Sequence, residues 1–391
     1  MTAFLERLLG RLPIGWLQLV HNPARLAAAL AGVAFANILI FMQLGFLGAL
    51  VESIRLPYSA MNADLLVSAS DMNTLADGSP LPRSRMVEAL SVPGVAAATP
   101  LHYGKLDWRQ PDATIRTLDL FGVDPAAPAF RTPGIEAGRA MLQNADVALI
   151  DRGTRNVPMA LFEAIDRGEP HRFEARGRTL TVAGTFRIGG GFSADGYLVV
   201  SDQTFLRLFP GRVAGAPNHV LLRLEPGADR SAVIAALRST LPAYDSVVRT
   251  LDEAVAKDQA FQTTQRPVGL VFGFGIVIGV LVGVIIVYQV LSTDVADHLR
   301  EYATLKAIGY RQRFFLGIVF EEALVLALLG FVPGVLIALA LYAAVAAVTG
   351  LPISMPATRP LLVLGGTIVM CAASGAVATR RLARANPAEL F

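Results

Sequence analysis

The chain has 391 residues, of which 53% are hydrophobic and only 17% charged, with a mean hydropathy of +0.51. Soluble globular chains carry about 25% charged residues, and here the apolar excess falls into four runs of about twenty residues or more, each long enough to cross a hydrocarbon core as a helix. That pattern describes an integral membrane protein; a net charge of +3 gives little footing for nucleic acid, and the single cysteine, Cys371, excludes an intrachain disulfide or a Cys-based metal site.

Residues 1–25 mix apolar and basic positions. Leu5, Leu8, Leu9 and Leu12 can share one helical face while Arg7 and Arg11 fall elsewhere, the pattern of a cytoplasmic amphipathic segment on the membrane surface. A frayed start is the alternative. Asn22 can cap a helix and Pro23 is tolerated at its first position, so the first membrane helix is expected over 26–51. That run is too long for a signal-peptide core of about 7–15 residues and reads as a retained anchor. Asn37 and Gln43 within it are costly against lipid and should face another helix.

Between 52 and 266 prolines, glycines and charges return, and the roughly 215 residues suffice for one large or two small domains. Strands are expected at 63–69 and 219–224, helices at 83–90 and 229–241, a long strand or hairpin at 95–109 and a strand at 244–250. Two such β-α-β units predict an α/β subdomain (60–110 and 218–250) split by a mainly β insertion (111–217). The insertion would hold strands at 147–151, 171–175, 179–188 and 196–200 and a short helix at 203–209.

No chemistry can be assigned to this region. The run Gly189-Gly190-Gly191 lacks the following Lys-Ser/Thr of a phosphate loop and reads as a flexible hairpin tip. His102, His171 and His219 form no ligand pair, the serines no nucleophile elbow, and Asp195 and Asp202 suit turn or cap positions. Catalytic, cofactor-binding and metal-binding residues are therefore expected to be absent.

The polar segment 251–266 permits a helix leading into a second membrane helix at 267–291. A continuous helix would make a rigid stalk; Pro267 favours a flexible linker instead. Gly275, Gly279 and Gly283 recur every four residues, which lets another backbone approach closely, in the same chain or in a second copy. The polar stretch 292–313 follows. In it Leu299, Tyr302, Leu305 and Ile308 form an apolar stripe at three-residue steps, Arg300, Glu301 and Lys306 lie outside it, and Gly309 is suited to stop the helix. An ordinary basic connecting loop is the alternative reading.

The third membrane helix, 314–348, is longer than a bilayer needs, with a kink or tilt expected near Pro333-Gly334. Glu321 and Glu322 lie about two turns inside it, where a carboxylate needs a partner such as Arg300, Arg311 or Arg313. The fourth helix is expected over 361–379, with a tail at 380–391. Arginines and lysines cluster in the N-terminal flank (Arg7, Arg11, Arg25), in 292–313 (Arg300, Lys306, Arg311, Arg313) and at the C-terminus (Arg380, Arg381, Arg384), against only Arg359 in 349–360. The positive-inside rule then puts both termini and 292–313 in the cytoplasm and the large domain outside.

One membrane helix, a large outside domain and three more membrane helices form an arrangement that resembles the FtsX/MacB superfamily of ABC transporter permeases. Three local matches support it: the segment from Arg300-Glu301-Tyr302 to Lys306-Ala307-Ile308-Gly309, the acidic Glu321 or Glu322, and the tail Asn386-Pro387-Ala388-Glu389. Within the superfamily, the segments starting at Gly15, Ala29 and Phe41 look most like the DevC-type branch. The resemblance implies an α-helical inner-membrane protein with four transmembrane helices and a large α+β periplasmic domain inserted between helices 1 and 2.

It further implies a dimeric, non-catalytic permease with no cofactor on this chain, ATP and Mg being bound by a separate ABC ATPase subunit. That ATPase would dock on a coupling helix carrying Leu299, Arg300, Glu301, Tyr302, Leu305, Lys306, Ile308 and Gly309. A periplasmic membrane-fusion adaptor and a TolC-like outer-membrane channel would complete the path for a lipid, glycolipid or other hydrophobic molecule. Mechanical coupling, rather than passage through the four helices, is expected, because few polar residues line them. Two alternatives stand beside it: an FtsX-like signalling subunit that activates a cell-wall hydrolase, and a lipoprotein-releasing permease.

Overall fold

A computed structural model describes residues 13–110, 113–213 and 215–384. The leucine pattern at 5–12 and the tail at 386–389 lie outside the described residues. In chain order the elements are α1 (Ile14–His21), α2 (Pro23–Ala60), β1 (Leu65–Ala69), α3 (Ser84–Leu90), β2 (Val95–Arg109), β3 (Ile115–Val123) and α4 (Pro133–Gly138). Then come β4 (Val147–Asp151), α5 (Met159–Asp166), β5 (His171–Ala175), β6 (Arg178–Phe186), β7 (Gly196–Ser201), α6 (Asp202–Leu208), β8 (His219–Leu224), α7 (Arg230–Thr240) and β9 (Ser246–Thr250). The chain closes with α8 (Leu251–Thr264), α9 (Pro267–Asp297), α10 (Leu299–Ala307), α11 (Gln312–Thr349) and α12 (Thr358–Arg384). It divides into two units, one built from residues up to Gly48, Val271–Val345 and from Ile353 onward, the other from Ala49–Leu270 with Ala346–Pro352.

In the first unit, α2, α9, α11 and α12 are the described helices long and apolar enough to cross a membrane. The glycine ladder of α9 packs against α2 of the same chain. A Cβ at Gly279 would stand 2.9 Å from Ile40 Cγ1, one at Gly275 would collide with the Gln43 side chain, and one at Gly283 would meet Met370 of α12 and lie 3.1 Å from Ala36. Small residues also bring α11 close: Cβ atoms at Gly330 and Gly334 would lie 2.7 and 3.0 Å from those of Val33 and Asn37. Between these two glycines the helix continues unbroken through Pro333. Buried Asn37 accepts a hydrogen bond at its Oδ1 from the Thr367 hydroxyl of α12 at 2.6 Å, so both amides of the first membrane helix face protein.

The helix α2 runs nine residues past the expected end at Val51. Charge and proline in 52–60 mark where the chain leaves the hydrocarbon, not where the helix stops, because its last turns have polar partners in the second unit. Gln259 Nε2 of α8 donates to Val51 O at 2.9 Å, and the Tyr58 hydroxyl donates to Asp258 Oδ2 at 3.0 Å. The stalk, in contrast, is interrupted. Helix α8 ends at Thr264 with Gln265 as its C-cap and α9 starts at Pro267. A Cβ at Gly269 would run into the main chain at Gln262 and Thr263, residues that a straight helix would hold about 10 Å away.

The second unit contains one nine-stranded mixed sheet, ordered β5-β6-β4-β7-β3-β2-β8-β1-β9. The long β2 joins its two halves: Val95–Leu101 pairs with β8, and Leu101–Arg109 with β3. One core gathers on β1, β8 and β9 beneath α3 and α7, and another on β3 to β7 beneath α5 and α6. The segment 111–217 thus continues the same sheet and carries α4, α5 and α6 as well as strands. Its β3 has no clear alternation, because the inner two-thirds is buried on both faces. The glycine run is not a hairpin tip. It crosses from β6 to β7 over the end of β4, which lies between them in the sheet, and Asp151 anchors it by accepting from the N–H groups of Ile188 and Gly189 at 3.0 and 2.7 Å.

Replacing Gly279 by leucine should cost about 1–3 kcal/mol by overpacking. Gly273→Leu, where a Cβ meets nothing within 4 Å, should leave unfolding unchanged. Thermal unfolding of the two purified variants side by side checks this order.

Candidate functional site

The short helix α10 joins α9 to α11 and ends in a geometry that only a glycine adopts at low cost. Gly309 sits at φ +108°, its N–H donates to Lys306 O, and the Tyr310 N–H donates to Leu305 O, both at 3.1 Å. This is a Schellman closure, which satisfies two carbonyls that would otherwise be orphaned.

The predicted stripe divides between two faces. Tyr302 is 2% exposed, and its ring meets that of Phe315 of α11 edge-on at 5.5 Å. Its hydroxyl donates to Gln18 Oε1 of α1 at 3.1 Å. Burial above all, then the nearby Glu322 carboxylate, pushes this phenol far above its ordinary range, so it stays a donor. Leu299 and Leu305 pack half-buried against the same core. Ile308 is 71% exposed. At about 100° per residue the helix makes two and a half turns from Leu299 to Ile308, so the stripe's last member emerges on the opposite side. Arg300, Glu301 and Gly309 are exposed with it, and Lys306 is half-buried.

Near this helix the ends of two membrane helices are tied by charge. Arg25, in the first turn of α2, forms ion pairs with Asp297 at 2.6 Å and Asp294 at 3.6 Å, and its other terminal nitrogen donates to Val290 O at 3.2 Å, all on α9. Sequence reasoning used Arg25 only for topology and missed this tie. Its signal was present in the acid pair Asp294 and Asp297, one helical turn apart.

Glu321 Oε1 accepts from the main-chain N–H of Trp16 at 3.2 Å. Glu322 is fully buried, and neither of its oxygens has a hydrogen-bond partner among the described residues. The expected pairing of Glu322 with Arg300, Arg311 or Arg313 is replaced by a setting next to Asp294, with Arg25 as the nearby cation. Gly15 makes room for it, since a Cβ there would lie 2.9 Å from Glu322 Cγ. Among the described residues no group of three or more histidines, cysteines and acids could hold a metal.

Four helices long and apolar enough to cross a membrane, a large α+β domain carried between the first and second, and a partly exposed helix between the second and third define a multi-span membrane protein. Residues 26–240 match the family described as MacB-like periplasmic core domain, and residues 273–387 that described as FtsX-like permease C-terminal. The chain belongs to this family of ABC transporter permeases, membrane proteins with a periplasmic domain that are generally non-catalytic and work with an ATPase.

Among solved structures it is similar to the periplasmic region of MacB from Actinobacillus actinomycetemcomitans, at 11% identity over 50% of this chain and 92% of that one, with a TM-score of 0.34. It is also similar to the extracellular domain of the noncanonic ABC-type transporter YknZ from Gram-positive bacteria, at 12% identity over 48% and 99%, with a TM-score of 0.33. A domain of a putative permease protein from Porphyromonas gingivalis matches at 15% identity over 49% and 89%, with a TM-score of 0.32. No curated protein matches the chain in sequence.

Arg25→Gln takes the arginine from Asp294, whose side chain is 5% exposed and keeps only His298, at 3.7 Å, and should destabilise the permease by about 3 kcal/mol. Asp297→Asn removes only the partner that is 58% exposed and should cost about 0–1 kcal/mol. Denaturant unfolding of both variants in micelles tests the ranking.

Proposed function

We propose that the chain is the membrane subunit of an ATP-driven exporter in which a separate ABC ATPase, as in the DevC-type branch, docks on the outward face of α10. Arg300, Glu301, Ile308 and Gly309 form that face. Tyr302, Leu299 and Leu305 transmit the load, and Lys306 lies between the two sets. The observation that carries this reading is the division of α10 itself: one side is bolted to α1 and α11 through Tyr302, while Ile308 stands free on the other. A push on the free side cannot be absorbed by rotation of α10 alone, because the buried phenol would lose its partner.

In this reading ATP and Mg are bound by the partner, and the chain itself holds no cofactor. Both termini and α10 are cytoplasmic, consistent with the arginine and lysine distribution. The chain works as a homodimer in membrane lipid. Apolar side chains of α9 such as Val271, Phe274, Ile278 and Ile285 are exposed in the single chain, and lipid or the second copy would cover them. Motion of the membrane helices is passed to the periplasmic domain, which hands a lipid, glycolipid or other hydrophobic molecule to a membrane-fusion adaptor and a TolC-like outer-membrane channel.

Ile308→Asp should leave the unfolding temperature of the permease unchanged and weaken ATPase co-purification by at least about tenfold. Leu305→Asp should destabilise the permease itself, since that side chain packs on the core. Retained ATPase binding and coupled hydrolysis in a folded Ile308→Asp protein would put the docking surface elsewhere.

A further inference from the structure

The periplasmic unit holds a cavity of about 210 Å³ where α2 enters that unit and α9 leaves it. Its walls are largely apolar, with Leu50, Ile54 and Pro57 from α2, Leu75 from the loop after β1, and Val268 from the start of α9. Two carboxylates are set into them, Asp119 of β3 and Asp258 of α8, 4% and 3% exposed. The phenol rings of Tyr103 and Tyr197 lie beside them. No lysine, arginine or histidine among the described residues lines the cavity.

The two carboxylates differ in what answers them. Both oxygens of Asp119 are satisfied from within the protein, Oδ1 by the Tyr103 hydroxyl and Oδ2 by the Ser193 hydroxyl at 3.2 Å. Lys105, which donates to Ser193 O at 3.0 Å, supplies a nearby positive charge. Asp258 is satisfied on one side only. Its Oδ2 accepts from the Tyr58 hydroxyl and the Leu75 N–H, each at 3.0 Å, while its buried Oδ1 has no hydrogen-bond partner. Gln262, one turn further along α8, lines the same wall, and its side-chain amide is a second polar neighbour that steadies this carboxylate, so what the cavity lacks beside Asp258 is a cation. The charged neighbour of Asp258 is Asp77, of the same sign and already engaged with the N–H groups of Asn73 and Thr74.

Burial is the main reason that the Asp258 carboxyl is pushed up to about 6. An ionised carboxylate shut away from water with no cation facing it is a costly arrangement. Two carboxylates, one of them saturated, do not supply the six or more oxygens that a calcium ion takes. An ammonium group needs fewer: it donates in up to three directions, and aromatic faces add to its stabilisation.

We propose that this cavity binds an organic ammonium ion carried on an apolar body, with an N–H donating to Asp258 Oδ1 and the body held by Leu50, Ile54, Pro57 and Val268. The proposal does not depend on where the ATPase docks. Binding is read on the permease alone, so the failure of one idea leaves the other standing.

The test uses the full chain in nanodiscs of zwitterionic lipid at pH 8, with empty nanodiscs as the blank. Phenethylammonium and its neutral counterpart 2-phenylethanol are titrated in and followed by ligand-observed NMR. The ammonium should bind saturably and at least about tenfold more tightly than the alcohol, and Asp258→Asn should remove that preference. A second measurement needs no mutation. Lowering the pH of the wild-type protein to 4.5 protonates Asp258, whose titratable neighbours are Asp77, Asp119 across the cavity and the phenols of Tyr58, Tyr103 and Tyr197, and should abolish the preference too. Equal binding of the two probes, a preference unchanged in folded Asp258→Asn, or a preference that persists at pH 4.5 would each overturn the proposal, as would the lack of saturable ammonium binding.

Discussion

The structure depends on close packing along one helix, α2, in a solvent that gives apolar surfaces no reason to associate. Lipid tails are as apolar as leucine, so membrane helices are held by van der Waals contact and by the few hydrogen bonds they can make. Helix α2 uses both. Its middle lies against the glycines of α9 and α11, where the missing side chains let backbones approach, and Asn37 adds a hydrogen bond to α12. At its inner end Arg25 holds α9 by charge, and at its outer end Tyr58 and Val51 bond to α8. One continuous element therefore carries both close apolar packing and polar ties.

The same economy explains how a nine-residue helix is held in place. Alone, α10 is too short to be stable in water. Its order comes from Tyr302, inserted between α1 and α11, and from the Gly309 closure that turns the chain straight into α11. Glu322 and Asp294, buried beneath α10, are the kind of charged interior that persists in a membrane protein only where neighbouring groups compensate it. Arg25 is that compensation here.

In the periplasmic unit, a single sheet with two cores makes the domain one mechanical body, because the long β2 belongs to both halves. Asp258 links that body to the end of α2 through Tyr58 and to the loop after β1 through Leu75. The interruption between α8 and α9 at Gln265 means that the two do not form one continuous stalk.

Hydropathy and spacing were enough to locate the four spans, the position of the soluble domain between the first and second, and the short helix ending at Gly309, because each of these depends on local composition. The glycine ladder of α9 announced a close contact for the same reason. What spacing cannot contain is the identity of the partner, and Ala36, Ile40 and Gln43 of the same chain emerge only from the packed helices. The length of α2 was hidden because polar residues in 52–60 look like a terminus until Tyr58 and Val51 are seen to have partners some 200 residues away. Strand β3 was hidden by burial on both faces, which erases alternation. The stripe on α10 was legible as a set of positions, but its split into a buried Tyr302 and an exposed Ile308 follows from helical rotation against a particular neighbour. Composition determined which solvent each segment meets; the tertiary structure alone decided which buried carboxylate oxygens, among them Asp258 Oδ1 and both of Glu322, were left without a hydrogen-bond donor among the described residues.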